Sequence, residues 1–431
     1  MPVRTSRGAL HHAAEPPRRP TPRADAVTGT DFRIVDLTDL TDLTDSRDLT
    51  DPAGRADPAG RADPAGRADP AARADLTNSR DLTDSTDLTD PRDLTDLAAL
   101  LTGTGTGAAA HTAWDAASVA LLPPRLGRPY LRPGHCRVVV ASEAGRPVGL
   151  LPLLRGTPGR LPQALLDPDP ETAAVLPADP GDLLFVGGCV DLVAGAAVAA
   201  GLTEERRRAV RRGLVDRAWE QAGRDGLVPL ALHVRDDEVA DFRGPGRRAA
   251  ELGVTCLLRL PRDGSDASYL AGLGQSGRRT VLKDRRKAAE AGLRSEVRPA
   301  GELTAAAAEL VVAVKRRYGV EEHPRLVRAR LARWAADPAG ERVAFAVSDG
   351  AGPVAVTFGC VRGTGLEIYE TGLADAHPHR HEAYAESLFQ APVAFAQARG
   401  ITTIDLGLDA TTPKTRRGAT LAPTWVVRPD Q

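Results

Sequence analysis

Two stretches of the chain share one arrangement of hydrophobic and polar positions, in which two apolar runs flank an acidic turn that contains glycine. They are "VVVASEAGRPVGLLPLL" at 138–154 and "FAVSDGAGPVAVTFGC" at 345–360. Ser142 aligns with Ser348, a shift of 206 residues that also aligns the prolines after the turns. Apolar runs around such a turn predict a β-hairpin, so we expect two related hairpins.

A second pattern also occurs twice: the end of a helix, then a glycine, then an apolar strand. It is found in "AWEQAGRDGLVPLALHV" at 218–234 and in "AFAQARGITTIDLGL" at 394–408. Glycine commonly ends a helix in this way. Because hairpin, helix and strand recur in the same order, the sequence predicts a duplicated α/β (α+β) fold. We expect two tandem units, packed side by side, each with a mixed, mainly antiparallel sheet flanked by helices.

The helix of the first unit is predicted from its cap and its apolar stripe. Thr203 can cap a helix whose first turn carries two glutamates, and apolar residues follow at helical spacing. Five arginines lie mostly off that stripe, which predicts a solvated face: Arg206, Arg207, Arg208, Arg211 and Arg212. In the second unit, Pro392 is expected to kink the corresponding helix.

A low-complexity run of "DLTD" and "PAGRAD" units follows the strand-like "DFRIVDL" near the N-terminus. Asp, Pro, Gly and Arg dominate it, so it offers too little apolar surface to offset about 1–2 kcal/mol of backbone entropy per ordered residue. The predicted organisation is a disordered tail at 1–30, the first strand of unit one at 31–38, disordered repeats at 39–94, a degenerate first unit at 95–252 and a second unit at 253–431.

Composition and charge exclude several classes of protein. The formal net charge is −1, which gives no basic field for DNA. The four cysteines form no CxxC pair, which favours a reduced cytoplasmic protein without a metal site. The N-terminus lacks the apolar run of a signal peptide. The apolar stretch 183–202 contains an aspartate and several glycines, so we expect a buried strand and turn there and no integral membrane span.

Three segments of the C-terminal half resemble a known family. They are "YLAGLGQSGRRTVLKDRRKAAEAGL" at 269–293, "IYETGLAD" with "EAYAESLFQAPVAFAQARG" at 368–400, and "IDLG" with "KTRRGATLAPTW" at 404–425. Together they are similar to GNAT-superfamily acyltransferases of the Fem-like tandem-GNAT type, which include peptidoglycan biosynthesis/recognition-like GNAT acetyltransferases. The resemblance covers residues 253–419. It implies transfer of an acyl group from acyl-CoA, such as acetyl-CoA, to an amine of a small molecule or a cell-wall precursor.

Two alternatives stay open. GNAT enzymes usually hold the pyrophosphate of coenzyme A in a glycine-containing turn, whereas this chain has "AHPHRHEAYAE" there. A Fem-like aminoacyltransferase that uses aminoacyl-tRNA is the first alternative, although the net charge and the lack of a heptad-patterned helical arm favour the smaller donor. A non-catalytic binding module on a degenerate GNAT fold is the second.

Candidate site residues come from the same segments. Glu370 is the predicted base and Tyr384 the predicted proton donor, with Tyr369 beside them; strand alternation places Glu367 and Tyr369 on one face and Glu370 on the other. The predicted donor-binding residues are basic: Arg278, Arg279, Lys283, Arg380, Lys414 and Arg417. We expect a cleft between the 366–371 strand, the start of the 381–391 helix and the 414–418 segment to hold the acyl group.

Overall fold

The computed structural model describes residues 29–36, 131–188, 194–199, 201–336, 340–408 and 410–430. The repeats predicted at 39–94 and nearly all of the predicted tail lie outside these residues. Thirteen strands are described: β1 (Thr30–Asp36), β2 (Leu131–Glu143), β3 (Arg146–Gly156), β4 (Leu183–Val186), β5 (Ala197–Val198), β6 (Val228–Arg235), β7 (Arg247–Arg259), β8 (Arg294–Pro299), β9 (Glu341–Ser348), β10 (Pro353–Arg362), β11 (Gly365–Leu373), β12 (Thr403–Leu408) and β13 (Thr420–Pro429).

Helices flank this sheet. The described α-helices are α1 (Pro170–Val175), α2 (Glu204–Arg224), α3 (Val239–Phe242), α4 (Asp266–Gly272), α5 (Gln275–Glu290), α6 (Thr304–Arg317), α7 (Pro324–Ala336), α8 (Arg380–Ala385), α9 (Ala391–Ala398) and α10 (Thr411–Thr415). A π-helical turn, Glu386–Gln390, joins α8 to α9 immediately before Pro392.

The strands form one continuous sheet in the order β1-β2-β3-β4-β6-β13-β7-β12-β11-β10-β9-β8, with β5 added beside β3. The same order is found from each end of the sheet. An outer strand (β1 or β8) is followed by an antiparallel hairpin (β2–β3 or β9–β10) and then by two strands that pair in parallel (β4 and β6, or β11 and β12). The mixed, mainly antiparallel α/β fold with two related halves is therefore confirmed. The segment predicted as the first strand forms β1 and pairs with β2.

The two halves exchange a strand, which side-by-side packing did not anticipate. Strand β7 follows β6 in the chain but pairs with β12 of the second half, and β13 follows β12 but pairs with β6 of the first half. Strands β7 and β13 also pair with each other over ten residues of β13. Strand β13 of the second half thus lies beside β6, and β7 of the first half lies beside β12. Because β13 and β7 also pair with each other, the sheet is continuous across the middle.

Hydrophobic clusters lie on both faces of each half. In the first half, α2 packs on one face, where Val210, Leu214 and Val215 are fully buried. In the second half, α6 and α7 cover one face, while α5, α8 and α9 cover the other. The apolar stretch near residue 183 forms the buried strand β4. Among the described residues, we find no helix with both the length and the apolar character needed to span a bilayer.

The helix predicted from Thr203 is present, but its arginine face is not uniformly solvated. Thr203 caps α2 by accepting a hydrogen bond from the Arg206 N–H. Arg211 is only 8 % exposed and donates from Nε to Asp241 Oδ2 at 2.8 Å. The expectation of a solvated arginine at position 211 is wrong, because α3 places a buried carboxylate against this side of α2.

Candidate active site

The two parallel strands at the centre of the second half pair only briefly and then separate. Residues Gly365 to Glu367 of β11 pair with Thr403 to Asp405 of β12, and their register ends there. Past this point β12 is irregular against β7, with Gly407 at a φ of 77°. A gap thus opens between the last residues of β11 and β12, and the strand edges that face it carry backbone groups able to bind a ligand.

Asp405 shapes the edge of this gap that β12 provides. It is 6 % exposed, and its Oδ1 accepts hydrogen bonds from the Gly407 N–H and from the Thr255 hydroxyl, both at 2.9 Å. The side chain therefore takes the Gly407 N–H that a regular ladder would direct to a neighbouring strand. Asp405 Oδ2 accepts a 2.5 Å hydrogen bond from Arg235 at the end of β6, in the first half.

The corresponding gap in the first half is filled by the chain itself. Strands β4 and β6 also pair in parallel, from Leu183 to Phe185 against Val228 to Leu230. Beyond them the Ala194 N–H donates to the Leu232 carbonyl, and the Gly195 N–H donates to the Gly187 carbonyl. Residues 194–198 are all buried. Ala194 and Gly195 thereby bridge the first gap.

Tyr369 and Glu370 meet the same guanidinium, so the predicted alternation of faces is wrong at this point. Arg330 Nη1 donates to Glu370 Oε2 at 2.7 Å and to the Tyr369 hydroxyl at 3.3 Å. The cause is a β-bulge: Phe358 pairs with Glu370 and Gly359 with Ile368, which leaves Tyr369 without a directly opposite residue.

Glu370 belongs to a network of charges under α6 and α7. Lys315 Nζ lies 3.2 Å from its Oε1, and both Lys315 and Arg330 also contact Glu322. Burial lowers the pKa of Arg330, but Glu370, Tyr369 and Glu322 together outweigh it and hold that pKa well above its usual value. Trp334 stacks on the Tyr369 ring with a centroid separation of 4.4 Å. The network fixes both predicted residues of β11 in one geometry.

Tyr384 lies on the opposite face of the sheet from Glu370. It packs with the cluster that includes Leu366, whereas the residue paired with Glu370, Phe358, packs under α6 and α7. Burial raises the pKa of the Tyr384 hydroxyl to about 12, although nearby Arg417 opposes this shift. The phenol therefore stays protonated at neutral pH. The sheet therefore lies between these two candidate groups.

Lys414 lies in α10 and Arg417 in the turn that follows it, in the segment before β13. Lys414 is 4 % exposed, and its Nζ donates to the carbonyls of Gly407 and Leu408 at 3.1 and 2.7 Å. Arg417 forms an ion pair with Asp284 of α5, and its Cζ lies 4.7 Å from the Phe389 ring centroid. These two side chains thus hold this segment against the end of β12 and against α5.

The remaining predicted donor-binding residues lie at the surface. Arg279 and Lys283 are exposed on α5, and Arg278 donates from Nε to the Leu270 carbonyl at 3.0 Å. Arg380 is exposed at the start of α8 and donates to the Asp375 carbonyl. Arg417 and Tyr384 both contact the Phe389 ring, so the structure brings these two predicted residues together. It places the α5 cations on an outward face.

Sequence reasoning missed the pair formed by Arg235 and Asp405. The available signal was "HVRDDE" at 233–238, where charged residues directly follow a buried strand. Within the described ranges, no group of three or more His, Cys, Asp or Glu side chains is arranged to hold a metal ion.

Comparison with known proteins identifies the domain that carries this gap. Residues 275–415 match the family model described as an acetyltransferase (GNAT) domain. No curated protein sequence matches the chain. The similar solved structures include L-PGS from Bacillus licheniformis, with 13 % identity, 79 % of this chain and 92 % of that chain covered and a TM-score of 0.48. FemX has 12 % identity to this chain, and the alignment covers 73 % of this chain and 95 % of FemX with a TM-score of 0.47.

A third solved structure is a tandem GNAT protein from the clavulanic acid biosynthesis pathway, with 16 % identity, 80 % and 97 % coverage and a TM-score of 0.37. The matched segment 275–415 runs from α5 to α10 and contains β11, β12 and the gap between them. The second half of the chain thus carries a GNAT acyltransferase-like domain.

Proposed function

We propose that the protein transfers an acyl group from an acyl-CoA to an amine of a small molecule or a cell-wall precursor. The observation that carries the proposal is the gap between β11 and β12 inside the segment that matches the acetyltransferase model. Backbone N–H and C=O groups along a strand edge suit the amide-containing arm of coenzyme A, which can pair with them as an added strand.

The reaction needs an amine without its proton and donors for the tetrahedral oxyanion. We assign the base to Glu370 and the proton donor to Tyr384. The phenol of Tyr384, with a pKa of about 12, carries at neutral pH the proton that a donor must supply. Tyr369 completes the catalytic set beside Glu370, through the guanidinium that both contact.

The donor's phosphates require cations, and we assign this role to the exposed basic residues of α5 and α8. Arg278, Arg279 and Lys283 lie on α5, and Arg380 begins α8. Lys414 and Arg417 act by holding the segment before β13 beside β12. An aminoacyl-tRNA donor would use the same exposed cations over a longer phosphate track, so it remains the alternative.

The deciding experiment presents both donors to the purified protein. A panel of amines is incubated with radiolabelled acetyl-CoA or with charged tRNA, each with and without RNase. We expect label to move from acetyl-CoA in an RNase-insensitive way. Transfer that requires charged tRNA and is abolished by RNase would replace our donor by the alternative. Transfer from neither donor, together with an unchanged melting temperature in the presence of either, would favour a non-catalytic binding module.

Two variants test the assigned chemistry. Glu370→Gln keeps the size of the side chain but removes its basicity, and loss of a base typically lowers the rate by about 10²–10⁴-fold. Tyr384→Phe removes only the hydroxyl; its matched control is Tyr318→Phe, because Tyr318 is 68 % exposed. We expect Tyr384→Phe to slow transfer and Tyr318→Phe to leave it unchanged. A wild-type rate in Glu370→Gln would exclude Glu370 as the base.

A further inference from the structure

The ion pair between Arg235 and Asp405 joins the two halves of the molecule. Arg235 is the last residue of β6, and Asp405 lies in β12, with β13 and β7 between these strands in the sheet. The two side chains are 15 % and 8 % exposed, so the contact is largely shielded from water. Removing one partner of a buried pair leaves the other charge uncompensated, so each side chain strongly constrains the other.

Arg235 acts on the place where the gap begins. Asp405 pairs with Glu367 in the last register position before β11 and β12 separate. Burial lowers the pKa of Arg235, but the carboxylates of Asp405 and Glu367 outweigh it and leave that pKa raised. The guanidinium thus lies in the field of both carboxylates that border the start of the gap.

Asp405 passes this constraint to the backbone. Its Oδ2 faces Arg235 while its Oδ1 holds the Gly407 N–H, so the rotamer fixed by the arginine also fixes the turn at Gly407. That residue has a φ of 77°, a conformation that takes β12 out of its regular pairing. The position of the β12 edge of the gap therefore depends on a side chain from the other half.

We propose that Arg235 of the first half is a positioning residue for acyl transfer in the second half: it fixes Asp405, and through Asp405 the Gly407 turn, so that the gap keeps the width needed to bind the acyl donor. The inference rests on the proposed function. It also gives the first half a role in catalysis, although that half's own gap is bridged by Ala194 and Gly195.

The test compares Arg235→Gln and Arg235→Lys with the control Arg206→Gln, which breaks a partly buried ion pair with Glu143 inside the first half. Kinetics are measured well below the melting temperature of every variant and normalised to folded protein. We expect Arg235→Gln to lower kcat/KM by about 10- to 100-fold, chiefly through a higher KM for the acyl donor, because small displacements of a binding edge carry such costs. Arg235→Lys should recover part of the loss, and Arg206→Gln should match the wild type.

A second measurement separates this inference from the proposed function. Hydrogen exchange at the Gly407 amide should speed up in Arg235→Gln and in Asp405→Ala, and stay unchanged in Arg206→Gln, whether or not a substrate is known. If Gly407 exchange is faster in Arg235→Gln but the protein transfers no acyl group, Arg235 still positions the β12 edge and the proposed function is wrong. Wild-type exchange and wild-type donor KM in folded Arg235→Gln would overturn the inference alone. If that variant does not fold, the same two measurements on Arg235→Lys and Asp405→Ala decide the question.

Discussion

A buried carboxyl group between β6 and α3 should make the stability of the protein depend on pH. Glu238 is 9 % exposed, and its Oε2 has no hydrogen-bond partner among the described residues. Burial is the largest influence and raises the pKa of Glu238 to about 7 from the ordinary 4.5, with Arg211 opposing it and Asp237 adding to it. The ionised form is thus disfavoured in the folded state.

The sign and size of the effect follow from these two values. Below pH 4.5 the group is protonated in both states, so it contributes no penalty; between 4.5 and 7 the unfolded chain ionises first, and folding stability falls as pH rises. The full difference between the two pKa values corresponds to about 3 kcal/mol, reached above pH 7. Because Gln cannot ionise, Glu238→Gln should escape this loss.

Urea unfolding of Glu238→Gln and of the wild type, followed by tryptophan fluorescence at pH 5 and pH 8.5, measures the effect. We expect the variant to gain about 2 to 3 kcal/mol relative to the wild type between these two pH values. The control is Glu220→Gln, whose carboxylate is 62 % exposed on α2, and its difference from the wild type should change little with pH. A difference for Glu238→Gln that is equal at both pH values, or that shrinks as pH rises, would refute the reasoning.

Three further predictions concern packing, the segment beside the gap and the repeats. Lys414→Met should lower stability by about 1–3 kcal/mol, and speed amide exchange in the segment 407–415, because the partly buried carbonyls of Gly407 and Leu408 lose their donor. Gly213→Ala should destabilise by about 1–3 kcal/mol, since a Cβ would overlap the Phe32 ring, whereas Gly223→Ala on the same helix meets no neighbour and should stabilise by about 0.5–1 kcal/mol in thermal melts. Excision of residues 39–94 should leave the melting temperature nearly unchanged; a large drop would contradict the disorder predicted for the repeats.

Local patterns predicted the local structure well. The hairpins of β2–β3 and β9–β10 follow from apolar runs around glycine turns, and α2 follows from Thr203 and its apolar stripe. Each of these features depends on residues close together in the chain. Hydrophobic periodicity reports such neighbours directly, which is why element types and the duplicated order could be predicted.

Features that depend on distant partners escaped prediction. The burial of Arg211 depends on Asp241, thirty residues away, and the role of Arg235 depends on Asp405, 170 residues away. The bulge at Tyr369 shifts one residue against β10, and no periodic pattern in β11 marks it. Helical and strand periods describe which face a residue takes, but they do not say what charge lies on the element opposite.

The exchange of β7 and β13 also ties the completion of each half to the other during folding. Strand β6 lacks its second neighbour until β13, the last strand of the chain, has been synthesised, and β12 relies on β7, which is made long before it. Contacts between such distant segments raise the contact order and slow folding. The middle of the sheet therefore closes only after β13 is available.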